Sequence, residues 1–178
     1  MNASGVGRRD FLKTTLATSL MLGTGAGLAT LSGCSDDRPA TGYLHLRASD
    51  VAFLTPLVPV ILTGGSLPNG DEDIPKVLES LDQLLHMLSP EGRKSLGQLY
   101  DMLQLGAFRW WMSGVWSHPE KLSLEEREQM LLQWSVKDST LGRISFGGVT
   151  RPLLVSWYGR TDIAMTTGYP GPPKKVVS

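Results

Sequence analysis

Three features of the sequence predict an all-α fold. Ile74, Val77, Leu78, Leu81, Leu84, Leu85 and Leu88 recur at helical spacing and form one apolar stripe, with Glu79, Asp82 and Gln83 off it. Helix-start chemistry recurs downstream. Ser89-Pro90-Glu91 supplies a cap, a first-turn proline and an acid near the helix dipole, and Ser123 with Glu126 fits a capping box. Strand-like alternation is scarce. The expected architecture is a small helical domain, residues 49–167, with an N-terminal leader and an extended C-terminal arm.

The elements follow in order. Ser49 is the expected N-cap of a helix from Asp50 to about Leu62, with Pro56 and Pro59 set to kink or shorten it. Residues 63–73 read as a loop, because Gly64-Gly65 and Pro68-Asn69-Gly70 are turn chemistry. The striped helix comes next. The Ser89 helix is expected to run through Leu96, Leu99, Tyr100 and Leu103 toward Trp110 and Trp111, and residues 114–119 break it. The Ser123 helix includes Met130, Leu131 and Trp134. A further helix spans Ser139 to Trp157, weakened by Gly142, Gly147, Gly148 and Pro152. The competing reading makes Phe146 to Val155 a strand of a small α+β fold. Thr161 caps a short turn of helix before Gly168. The run Gly168-Tyr169-Pro170-Gly171-Pro172-Pro173 cannot be regular helix and is expected to be extended.

Composition bounds the function. With 41% hydrophobic and 19% charged residues the chain is globular rather than disordered. The 17 basic and 17 acidic residues cancel, so nothing forces a basic surface, and nucleic acid has little support as a partner. A single cysteine, Cys34, excludes an intrachain disulfide, a thiolate zinc site and a c-type haem attachment. His45, His86 and His118 form no sequence-local metal pair, and each is expected to face solvent or hold one hydrogen bond. There is no phosphate loop, nucleophile elbow or dinucleotide fingerprint; Gly23-Thr24-Gly25-Ala26-Gly27 lies in the leader and reads as filler. Catalytic, cofactor and metal residues are therefore not assigned.

The aromatics carry more information. Phe108, Trp110, Trp111 and Trp116 crowd together, and helix neighbours 100° apart cannot all face inward. Either part of this group anchors a partner, as tryptophan does at interfaces, or it fills a small core with Gly114 folding Trp116 back inside; both can hold.

The leader is the most specific region. Gly7-Arg8-Arg9-Asp10-Phe11-Leu12-Lys13 closely matches the twin-arginine export pattern, with Gly7 where Ser or Thr is usual. The segment from Thr14 to Thr30 is a mild h-region, too short and too weakly apolar for a permanent span. The competing reading is a chance Arg-Arg before an amphipathic helix. Leu31-Ser32-Gly33-Cys34 resembles a lipobox, so residues 1–33 are expected to be removed and Cys34 lipidated; a free cysteine after a glycine is the alternative. Residues 34–48 then form a tether. Two or more acyl chains would anchor it, each buried methylene adding about 0.8 kcal/mol.

The leader Arg8 to Lys13, Asp50-Val51-Ala52-Phe53-Leu54, Gly114-Val115-Trp116-Ser117 and Trp157-Tyr158-Gly159, together with the ending Gly168 to Pro173, resemble the small subunits of membrane-bound flavin sugar and alcohol dehydrogenases, the gluconate 2-dehydrogenase small subunit among them. The C-terminal run is the most specific part of the likeness. It implies a non-catalytic subunit that binds and escorts a large FAD-dependent flavoprotein of the glucose-methanol-choline class to the periplasm. A multi-haem cytochrome c would be the electron acceptor, and FAD would sit in the partner. The expected partner-facing residues are Trp110, Trp111, Trp116, Trp157, Tyr158, Tyr169, Pro170, Gly171 and Pro172. A stand-alone periplasmic lipoprotein that binds a small molecule or envelope protein is the main competitor. An enzyme whose site is not legible in sequence is the third reading.

Overall fold

The computed structural model describes residues 38–62, 67, 69–166 and 168. Arg8, Arg9, Phe11, Leu12, Lys13 and Cys34 of the leader, and Tyr169, Pro170, Gly171 and Pro172 of the arm, lie outside them. The fold is all-α, and among the described residues the only β-type pairing is an isolated bridge between Pro39 and Arg47. The helices are α1 (Ala48–Leu54), α2 (Val58–Ile61), α3 (Ile74–Met87), α4 (Pro90–Gln104), α5 (Gly106–Ser113), α6 (Leu124–Val136), α7 (Thr140–Tyr158) and α8 (Thr161–Thr166). Phe146 to Val155 is helical, so the α+β alternative falls.

The core is built on α7, which packs along α3 and α6. The stripe on α3 buries Val77, Leu78, Leu81 and Leu85 in one core cluster with Val149, Leu153 and Trp157 of α7, to which α6 adds Met130, Leu131 and Trp134. Two of the glycines expected to weaken α7, Gly142 and Gly148, instead let its neighbours approach. A Cβ at Gly148 would overlap Leu99 of α4, and one at Gly142 would lie 2.7 Å from Lys137 Cβ. With Ser139 Oγ accepting from Gly142 N, the helix runs unbroken through Pro152.

The prolines of the first helical run act as expected. Pro56 opens a 3-10 turn, Thr55–Leu57, and Pro59 lies in the first turn of α2, so the run splits rather than bends. Its cap differs from expectation: α1 starts at Ala48, behind Arg47 rather than Ser49. Asp50 accepts from Arg47 N at 3.1 Å and from its guanidinium at 2.8 and 2.9 Å, while Gln104 Nε2 donates to the same carboxylate at 3.1 Å.

Asp82 also departs from the sequence reading. It lies off the apolar stripe in sequence, yet it is buried. Its carboxylate accepts from the backbone N–H groups of Leu44 (2.6 Å), His45 (2.9 Å) and Leu46 (2.8 Å). Three donors compensate the desolvation of one charge. The segment expected to be tether is therefore folded onto α3 over at least Leu44–Leu46, and Leu46 joins the core. Among the described residues no helix is long and apolar enough to cross a membrane.

Candidate functional site

The Ser89 helix does not run on to the tryptophans. It stops at Gln104, Leu105 takes an extended ψ of 120°, and α5 starts afresh at Gly106. The restart turns the aromatic stretch onto its own axis. Met112 points into the core, whereas Trp110 and Trp111 stay 60% and 49% exposed. Gly114, at φ 75°, ends α5 in the left-handed conformation that favours glycine, and its N–H donates to Trp110 O at 2.7 Å. The chain then turns back and presents Trp116, 63% exposed.

Arg109 holds this turn together. It lies between two large aromatics, yet its side chain is turned inward and is 4% exposed. Nη1 donates to Leu103 O at 2.9 Å, Nη2 to Trp116 O at 3.0 Å and Nε to Ser117 O at 3.2 Å. One planar fork thus ties the end of α4 to the loop after α5. Burial pushes the guanidinium down from its ordinary value, and an arginine remains charged despite such a shift.

Gly106 completes the mount. A Cβ there would sit 3.1 Å from Trp116 Cε2 and 3.2 Å from its Nε1, so the indole rests against bare backbone. Trp111 is fixed differently. Lys137 reaches across from the α6–α7 connection, its Nζ 4.9 Å from the ring centroid and 3.0 Å from Trp111 O. Phe108 packs beside Trp111 with centroids 5.8 Å apart.

The exposed apolar surface continues onto α6. Leu132 and Val136, one turn apart, are 58% and 64% exposed. A depression of about 650 Å³ separates α6 from the aromatic loop, with Trp116 and Leu132 among its walls and Glu126, Gln129 and Gln133 supplying polar edges. Such a surface offers flat aromatic area with hydrogen-bonding groups at its margin, which suits a protein partner.

Of the partner-facing residues expected from sequence, Trp110, Trp111 and Trp116 are exposed, and Trp116 lines the depression. Trp157 does not: it is 1% exposed in the core, with Arg160 5.2 Å from its ring. Tyr158 is half-buried on α7. Gly106, Arg109, Lys137, Leu132 and Val136 were missed by sequence reasoning. A charged residue between two aromatics was the one available signal for Arg109.

The histidines are not all separate. His45 Nε2 and His86 Nδ1 lie 3.1 Å apart, although the residues are distant in sequence. His118 Nδ1 accepts from Glu120 N at 3.4 Å. Among the described residues no cluster of three or more His, Cys, Asp or Glu side chains is placed to hold a metal. No family model, curated protein or solved structure matches this chain.

Proposed function

We propose that this chain is a non-catalytic small subunit. It binds and stabilises a large FAD-dependent dehydrogenase of the glucose-methanol-choline class and escorts it through the twin-arginine pathway to the periplasm. Lipidation at Cys34 would hold the complex to a membrane. The observation that carries this reading is the group of exposed tryptophans, Trp110, Trp111 and Trp116, with Trp111 held by Lys137 and Trp116 by the turn at Gly106 and Arg109.

Their open indole surface is on the order of 400 Å², taking a tryptophan near the top of the aromatic range. At ~25 cal/mol/Å² its burial is worth up to about 10 kcal/mol before association costs. That area is roughly half of one partner's share of a standard interface. Apolar surface left open on this scale, with a buried arginine bracing part of it, supports a protein-facing role. The twin-arginine leader adds the second support, because that route carries passengers already folded. The substrate of the flavoprotein is a sugar or alcohol in this reading.

The test is gentle native purification of the tagged chain from cells expressing its partner genes. A stoichiometric large subunit with a flavin absorption spectrum is expected. Joint replacement of Trp110, Trp111 and Trp116 by Ser is expected to abolish recovery while leaving the far-ultraviolet circular dichroism unchanged. A colourless protein recovered alone would instead favour the stand-alone lipoprotein. The arm, residues 168–178, is assigned to the same partner, since prolines reduce the entropy lost when an extended segment is fixed. Undiminished recovery after its deletion would remove the arm from the interface.

A further inference from the structure

The pairing of His45 with His86 has no part in the escort reading, and its geometry is specific. Both backbones are held in place. His45 N donates to Asp82 Oδ1 at 2.9 Å, between two neighbours bound to the same carboxylate. His86 lies one turn beyond Asp82 on α3, and Arg93 Nη1 closes that helix end by donating to Leu88 O at 2.7 Å and His86 O at 3.3 Å. Two imidazoles from different elements are thereby delivered to one point on the surface. His86 is exposed and His45 is half-buried, so the pair is reached from solvent on the His86 side; the cleft on the other side of His45 is lined by Arg47, Arg93 and Lys94 with Asp50 and Asp101 and supplies no further ligand.

Metal–imidazole bonds of about 2.0–2.1 Å place two nitrogens roughly 2.9 Å apart at a right angle and roughly 3.3 Å apart at the tetrahedral angle. The observed 3.1 Å lies between these values. We propose that His45 Nε2 and His86 Nδ1 form a two-histidine chelate for a borderline divalent cation, copper(II) before zinc(II), with water in the remaining positions. Copper leads because imidazole sites follow the Irving–Williams order.

Without a metal the pair is hydrogen-bonded. The rings are 21° from parallel with centroids 5.4 Å apart, which is the nitrogen separation plus a ring radius at each end. The rings therefore lie end to end, with one nitrogen donating to the other. To admit a cation each ring pivots by roughly 40°, so that the lone pairs converge beside the nitrogen–nitrogen line. The donating ring also moves its proton to its other nitrogen through water, so two neutral imidazoles remain neutral. The bound ion would staple the 44–46 segment to the last turn of α3. Acid weakens binding, because protons compete for the same lone pairs.

The test is titration of the untagged full-length chain, carrying Cys34→Ser so that no thiol reduces the metal, with copper(II) chloride, followed by calorimetry, thermal unfolding and electron paramagnetic resonance. One equivalent is expected to bind saturably, raise Tm and give hyperfine structure from two nitrogens. His45→Gln and His86→Gln are each expected to weaken binding at least tenfold and remove the two-nitrogen signature. His118→Gln leaves both intact. Circular dichroism of each variant checks that the fold persists. Equal affinity in wild type and either pair variant, or the absence of a two-nitrogen signal, would overturn the assignment.

Discussion

Arg109→Lys separates the charge at the base of the aromatic loop from the shape that carries it. The wild-type guanidinium reaches three carbonyls, Leu103 O, Trp116 O and Ser117 O, which lie on both sides of α5. A lysine ammonium gathers its donors at one point and keeps about one of these bonds. Two charge-assisted bonds are lost, each worth about 1.5–3 kcal/mol net. The lower end applies where water can replace the donor, as at the part-buried Trp116 and Ser117 carbonyls. The expected loss is therefore about 3 kcal/mol, a large share of the ~5–15 kcal/mol available to a domain. For a domain of this size that lowers Tm by roughly 12 °C. Urea unfolding followed by circular dichroism gives the free energy, and hydrogen exchange at residues 114–117 reports the loop itself. Arg109→Lys within about 0.5 kcal/mol of wild type, with unchanged exchange protection, would refute the claim that Arg109 mounts the loop.

Further outcomes follow from other contacts. Asp82→Ala orphans three backbone N–H groups, one of them buried, and is expected to destabilise the protein by about 3 kcal/mol in urea unfolding. Trp157→Ala empties a core position and is expected to cost about 3–5 kcal/mol, whereas Trp116→Ala weakens partner recovery with little change in Tm. His118 is held below its ordinary value of 6.5, first by burial and then by the charge of Arg109. The unfolded chain therefore takes up that proton first, so stability is full above pH 6.5 and declines as pH falls toward the lower folded-state value. Comparing urea midpoints at pH 7 and pH 5 in wild type and His118→Asn measures this, with a smaller pH difference expected in the variant.

The α3 stripe and the Ser123 capping box were legible because their signals are local. Period and cap spacing are properties of a few neighbouring residues, and both elements start within a residue of expectation. What escaped the sequence depends on distant partners. Asp82 reads as an acid off the apolar stripe, and its burial is visible only once backbone donors 36 to 38 positions away are folded onto it. Gly148 reads as a helix weakener because the leucine that needs its missing side chain sits on another helix. The break at Leu105 was hidden for the same reason: the contacts beside it, the Trp116 indole on Gly106 and the Arg109 fork on Leu103 O and Trp116 O, join residues on either side of α5. At the candidate site the crowding of tryptophans was visible in sequence, and so was the geometric argument that some must face outward. Which of them did so was not visible, and Trp157 was assigned to the wrong side of the surface.

Escort is the central claim, and cell fractionation tests it most directly. Arg8 and Arg9 are replaced together by Lys in the full-length chain, and flavin-dependent dehydrogenase activity is measured in periplasmic and cytoplasmic fractions. The account predicts that activity moves to the cytoplasm together with this protein. Periplasmic activity at the wild-type level, with this chain retained inside the cell, would contradict it.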